Sequence, residues 1–151
     1  MVDGVDIALE NMKEQVSTMK SKLSQLRKKG FDTKIAELKV LAIPSKIKFI
    51  ELTHDFKEVS KANKMVADAL LEVQIAETEG EKQKAEKEMN KQMDEVSALA
   101  DAADDELKDK NQSKAKEYYT LAQEKYKKLP EDRKKEVLDR LSSIRSKLTN
   151  P

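Results

Sequence analysis

The first 29 residues carry the most regular hydrophobic pattern of the chain. Apolar residues recur there in alternating steps of four and three, which places them along one side of a helix, called its seam below, and is typical of a coiled coil or an antiparallel hairpin. Arg27 and Lys28 suit the last turn, and Gly30 can adopt the left-handed conformation that ends a helix. We therefore predict a helix over residues 5–29. Its seam consists of Val5, Leu9, Met12, Val16, Met19, Leu23 and Leu26.

Residues 30–54 predict a connector made of two short helices. Asp32 is a candidate N-cap for the first, and Pro44 ends that helix and opens the second, over residues 45–52. A strand over residues 47–52 is the alternative for the second segment. The residues predicted to face inward from the first short helix are Ile35, Leu38, Leu41 and Ala42.

The seam pattern returns after Asp55 and predicts a second long helix, which reaches about Thr78 and packs beside the first. A lone Asn at an otherwise apolar seam fixes the register or the number of partner helices, at a cost in stability. Asn63 is a candidate for this register-setting role, and a seam that opens to solvent at that level is the alternative. The predicted seam consists of Phe56, Val59, Asn63, Val66, Leu70 and Val73.

Residues 77–92 are almost all Glu, Lys, Gln and Asn, interrupted by Gly80. A mixed charge run of this kind is typical of a solvated helix or a frayed junction. We therefore place a boundary here. It separates an N-terminal helical unit, residues 1–79, from a C-terminal three-helix unit, residues 80–151.

The C-terminal unit contains three apolar stripes, of which the third begins after Pro130. Small residues of the first two helices are expected to face one another and to leave a shallow groove beside a tyrosine, which an amphipathic partner helix could enter. The alternative is that these alanines only let the third helix close the core. The candidate partner-binding residues are Ala103, Ala115, Tyr119, Ala122 and Tyr126.

Composition and charge narrow the functional classes. Of the 151 residues, 30 are Lys or Arg and 29 are Asp or Glu, so the chain lacks the basic excess of nucleic-acid-binding proteins. The absence of Cys removes thiolate nucleophiles and sulfur-ligated zinc. The most apolar stretch, residues 40–43, is far shorter than a membrane span, and acidic residues stand where a signal peptide would be basic. We expect no nucleic acid, no membrane and a cytoplasmic location.

Candidate chemistry is sparse. His54 is the only histidine, so one chain cannot assemble a catalytic triad or a multi-histidine metal site. Glu51 and His54 match the Glu-x-x-His spacing of di-iron bundles, but such sites need two copies and two further carboxylates. The acidic run at residues 101–109 lacks the glycine-bearing loop of a calcium site. We expect no catalytic residue, no cofactor and no metal.

Two segments resemble known helical proteins. Residues 96–148 resemble a tetratricopeptide or MIT-type helical hairpin followed by a third helix, although the Trp and the first-helix Gly of the tetratricopeptide pattern are missing. Residues 26–48 are similar to segments of uncharacterised small helical proteins of archaeal type, which implies a helical fold and no activity. The residues that carry the first resemblance are Leu99, Ala102, Ala103, Ala115, Tyr119 and Ala122.

These patterns predict an all-α fold of five or six helices in an elongated antiparallel bundle, which two three-helix units would also satisfy. The expected function is non-catalytic. It is a helical interaction or scaffold module that presents an apolar groove to a partner protein or to a second copy of itself. The alternative is an accessory or metal-binding helical bundle of an enzyme system.

Overall fold

A computed structural model describes residues 3–149, and over that range the chain is all-α, with six helices and no strand. The predicted fold class and number of helices are confirmed. The chain divides into two compact units, Met1–Gln83 and Lys84–Pro151, and α4 contributes residues to both. The helices are α1 (Gly4–Lys28), α2 (Lys34–Leu41), α3 (Ile43–Thr53), α4 (Phe56–Lys108), α5 (Gln112–Lys127) and α6 (Glu131–Thr149).

All seven predicted seam residues of α1 are buried. The helix begins where the side chain of Asp3 accepts a hydrogen bond from the backbone N–H of Asp6, at 2.9 Å. Its last helical residue is Lys28, and Gly30 follows the C-cap Lys29 with a φ of 81°, in the left-handed region. The N–H of Phe31 donates to the carbonyl of Leu26 at 3.1 Å, which completes a Schellman cap. The predicted start and end of this helix are therefore confirmed.

The inward orientation predicted for α2 is wrong. Its four predicted core residues are all exposed, and the strand alternative also fails because residues 47–52 lie in α3. A single residue separates α2 from α3, and Pro44 lies in the first turn of α3. One seam, with steps of four and three, therefore runs through both helices and decides which face of α2 is buried. This shared seam consists of Ala36, Val40, Ile43, Ile47 and Ile50.

The seam predicted for α4 is half right. Val59, Val66 and Val73 are buried as predicted, whereas Phe56, Asn63 and Leu70 are exposed. Ala62 and Ala69 occupy the intervening seam positions and have no exposed surface. Small side chains there let α4 approach its neighbours closely, so the largest apolar residues are not the ones that face the core. Asn63 lies on the solvent side, which removes the buried position on which its register-setting role was based.

Gly80 does not interrupt α4. Of the two alternatives for this segment, a solvated helix or a frayed junction, the structure has the continuous helix. Gly80 is buried against the ring of Phe31, and a Cβ added to it would lie within 2.7 Å of the ring atoms Cγ, Cδ2 and Cε2. Glycine is therefore required at this position by the close approach of an aromatic ring, and Phe31 packs against the first core.

Each unit has its own core. In the first unit, the seams of α1, of α2 with α3, and of the beginning of α4 share one apolar cluster. Residues 30–54 were predicted as a connector, but they also contribute side chains to the core of the first unit. In the second unit, the end of α4 packs with α5 and α6. The buried cluster there consists of Val96, Ala100, Ala103, Ala122, Leu129, Val137, Leu141 and Ile144.

Candidate docking surface

The outer face of α2 is apolar and exposed. Ile35, Leu38 and Leu41 lie along it at intervals of three residues and expose 62%, 67% and 68% of their surface. A surface helix normally turns polar residues to solvent. α2 is apolar on both faces, and the seam it shares with α3 buries only the other one. We call these three residues the α2 ridge.

A groove lies beside the α2 ridge, between α1 and α2. It encloses about 680 Å³, within the range of ligand-binding clefts. Buried Leu23 and Val40 form its floor, and Leu38 and Leu41 form one wall. The remaining residues that line it are the charged side chains Lys20, Arg27, Lys34 and Glu37.

The rim of this groove carries an excess of positive charge. Arg27 forms an ion pair with Glu37 across the groove. Among residues 3–149, neither Lys20 nor Lys34 has a carboxylate within 4.0 Å. The groove therefore combines an apolar interior with two unneutralised ammonium groups.

A second groove in the first unit is more polar. It encloses about 460 Å³ between α1 and α4, and Val66 and Leu70 supply apolar surface at its α4 side. Its α1 side is lined mainly by Asn11, Glu14, Gln15 and Thr18. Since apolar surface drives most protein association, the α1–α2 groove is the stronger candidate.

Ion pairs connect helices within each unit. Lys46 of α3 pairs with Glu58 of α4, and its hydrogen bond, with a further one from Lys61, holds the pKa of Glu58 below its ordinary value. Lys13 pairs with Glu51 at 2.5 Å, and this hydrogen bond raises the pKa of Lys13. In the second unit, Lys125 lowers the pKa of Glu95 in the same way. These groups stay charged near neutral pH, so they act as structural pairs.

The predicted partner-binding residues separate into two groups. Ala103, Ala115 and Ala122 have no exposed surface, so they lie in the core, and any contribution they make to partner binding stays a prediction. Tyr119 and Tyr126 are half-buried and line a recess of about 100 Å³. That volume is well below the range of about 300–1,000 Å³ for ligand-binding clefts. A partner contact by the two tyrosines stays a prediction.

Within residues 3–149, one cluster of groups has the composition and spacing to ligate a metal ion. Ligand atoms of Asp3, Asp6 and His54 lie within 4.8 Å of one another, and all three side chains are about half exposed. Glu51 takes no part because it pairs with Lys13, and His54 lies beyond the end of α3 with a φ of 50°. The predicted Glu-x-x-His spacing is therefore not realised on one helical face. The positive N-terminal dipole of α1 opposes a cation beside Asp3 and Asp6.

The sequence patterns predicted the buried position of Leu23 but not the groove above it. They identified Leu38 and Leu41 but placed them in the core, and they assigned no role to Lys20 or Lys34. The signal that could have found them is the spacing from Ala36 to Ile50, which continues unbroken across Pro44.

The comparisons with known proteins add no functional assignment. No protein-family model, no curated protein and no solved structure matches the chain. The resemblances to tetratricopeptide or MIT-type hairpins and to small archaeal-type helical proteins therefore stay without support from a match. Within residues 3–149, none of the helices has both the length and the apolar character that crossing a membrane requires.

Proposed function

We propose that this protein is a non-catalytic interaction module that binds a helix of a partner protein in the α1–α2 groove. The observation that carries the proposal is the α2 ridge, with its leucines two-thirds exposed in a chain whose charged residues make up 39% of the sequence. Complete burial of a leucine side chain contributes about 1.5–3 kcal/mol. Covering the exposed parts of Leu38 and Leu41 would therefore contribute about 1–2 kcal/mol each.

Site-specific cross-linking in living cells tests this proposal. A photoreactive benzoylphenylalanine is placed at position 38 of the intact chain, and at position 71 as a control. Leu71 is also an exposed apolar residue of the first unit, on α4. We expect one defined protein to be cross-linked from position 38 and not from position 71.

The cross-linked protein is then purified and its affinity for the intact chain is measured by titration calorimetry. Leu38→Asp should weaken binding at least tenfold, and Leu71→Asp should leave the affinity unchanged. Because both leucines are exposed, neither change should alter the free energy of unfolding by more than about 0.5 kcal/mol. No cross-link from position 38, or equal losses for both variants, would refute the proposal. Cross-links between two copies of the chain would instead show that the groove binds a second copy of this protein.

The metal-binding alternative rests on the cluster of Asp3, Asp6 and His54. It predicts that Zn²⁺ or Ni²⁺ perturbs the NMR signals of the His54 ring in the wild type, with saturation, and that Asp6→Asn weakens this response. A response that does not saturate, or that Asp6→Asn leaves unchanged, would remove this alternative.

A further inference from the structure

Five lysines of the first unit each have a carboxylate of another helix within 4.0 Å, whereas Lys20 and Lys34, at the rim of the groove, have none within the part of the chain that the structure describes. Glu37 does not compensate them, because it pairs with Arg27. The neutralised pairs are Lys13–Glu51, Lys22–Glu77, Lys29–Glu81, Lys39–Glu72 and Lys46–Glu58.

The dimensions of the α2 ridge fit a helix. At a rise of about 1.5 Å per residue, the distance from Ile35 to Leu41 along α2 is about 9 Å. An amphipathic helix that binds through anchors at i, i+3 or i+4, and i+7 presents apolar side chains over about 10.5 Å.

The exposure of the groove also favours a helix over a lipid. Leu38 and Leu41 stand open to solvent, so an alkyl chain lying against them would stay exposed to water on its outer side. A helix covers the same surface and brings its own polar face to the solvent.

We propose that the occupant of the groove is an amphipathic helix with Asp or Glu on both edges of its apolar stripe, and that these carboxylates pair with Lys20 and Lys34. Complementary charge at the rim of an interface steers the encounter and selects among partners with similar apolar anchors. This inference rests on the proposed function, since it names the chemistry of the partner that binds at the same groove.

Two designed peptides serve as probes. Both are Ala-based helices of about 18 residues with the same leucine anchors, above the length at which such helices are marginal in water. One carries Glu and the other Lys on both edges of the leucine stripe. Binding to the intact wild-type chain is measured by fluorescence anisotropy at low salt and in about 1 M salt.

We expect the Glu peptide to bind at least tenfold more tightly than the Lys peptide. One exposed ion pair changes the affinity by up to about fivefold. The Glu peptide gains two such pairs with Lys20 and Lys34, whereas the Lys peptide meets two repulsions. In about 1 M salt the screening length falls to about 3 Å, so the preference should shrink below about threefold.

Charge reversal supplies the second measurement. Lys20→Glu combined with Lys34→Glu should reverse the preference, so that the Lys peptide binds more tightly. Lys57→Glu combined with Lys64→Glu is the matched control, because it changes the net charge equally on exposed positions of α4. The control should keep the preference for the Glu peptide.

The outcomes separate this inference from the proposed function. If both peptides bind equally and Leu38→Asp abolishes this binding, the groove stays a docking site, and the inference that its partner is acidic is overturned. An equal effect of the control double variant would also overturn it, by making the preference a property of net charge. Binding of neither peptide would overturn the acidic helix and the groove as a helix-binding site together. If phosphatidylserine vesicles bind the wild type and neither peptide does, the occupant is a lipid surface.

Discussion

The contact between Gly80 and Phe31 predicts that Gly80→Ala destabilises the wild-type chain and stabilises a variant that lacks the Phe31 ring. In an unconstrained helix, Gly→Ala stabilises by about 0.8–1.0 kcal/mol because alanine loses less conformational entropy. Gly80 lies inside α4, so Gly80→Ala should receive this gain. The new methyl group, however, would lie within 2.7 Å of three ring atoms of Phe31.

The cost of that overlap exceeds the gain. The close atoms include Cγ, at the base of the ring, so rotation of the ring cannot clear the space and the side chain or backbone must shift. Overpacking of this kind costs about 1–3 kcal/mol. We expect Gly80→Ala to lower the free energy of unfolding by about 1 kcal/mol in the wild type. With Phe31→Ala as the background, the same change should raise it by about 1 kcal/mol, a coupling of about 2 kcal/mol.

Native-state hydrogen exchange of the α1 amides measures these changes within the first unit. Gly4→Ala is the matched control, since a Cβ at Gly4 meets no atom within 4 Å, and it should change the stability by no more than about 0.5 kcal/mol. If Gly80→Ala stabilised the wild type as much as the Phe31→Ala background, the packing argument would be refuted.

Further substitutions test the core, the helix ends and the charge pairs. Leu23→Ala should lower the free energy of unfolding by about 2–5 kcal/mol in urea denaturation, and a loss below about 0.5 kcal/mol would contradict its burial. Gly30 and Lys110 both have positive φ at helix ends, so Gly30→Ala should destabilise and Lys110→Gly should stabilise by about 1 kcal/mol each in the same assay. The lowered pKa of Glu58 stabilises the folded chain at neutral pH, and this contribution is lost as the pH falls through the folded-state value. Glu58→Gln should therefore lose less stability than the wild type between about pH 6 and about pH 3 in thermal scans, and parallel curves would contradict the assignment.

Sequence patterns predicted α1 completely and the buried face of α2 incorrectly, for one physical reason. The seam of α1 consists of large apolar residues, and its other faces are mostly polar, so only one orientation buries it. α2 is apolar on both faces, so its own pattern leaves the orientation open. Val40 and Ile43 settle it, because they continue one seam across Pro44 into α3.

The seam of α4 shows a second limit. The pattern favoured Leu70 over Ala69 because leucine is more hydrophobic, yet Ala69 is the buried residue. The distance between two packed helices depends on the side chains of both. The apolar pattern of one helix alone therefore does not predict that distance. The same holds for Gly80, whose ring contact comes from Phe31, 49 positions earlier in the chain. The groove was missed for a related reason. Because Leu38 and Leu41 were assigned to the core, their exposed surface was not recognised as part of a candidate site.

The separate cores also divide the chromophores of the chain. Tyr118, Tyr119 and Tyr126 all pack against the second core, and the three phenylalanines lie in the first unit. The sequence contains no Trp. The absorbance and fluorescence of tyrosine therefore come from the second unit alone, while far-ultraviolet circular dichroism reports the helices of both units. A denaturation experiment that records the two signals on the same unlabelled sample distinguishes the unfolding of one half from that of the other.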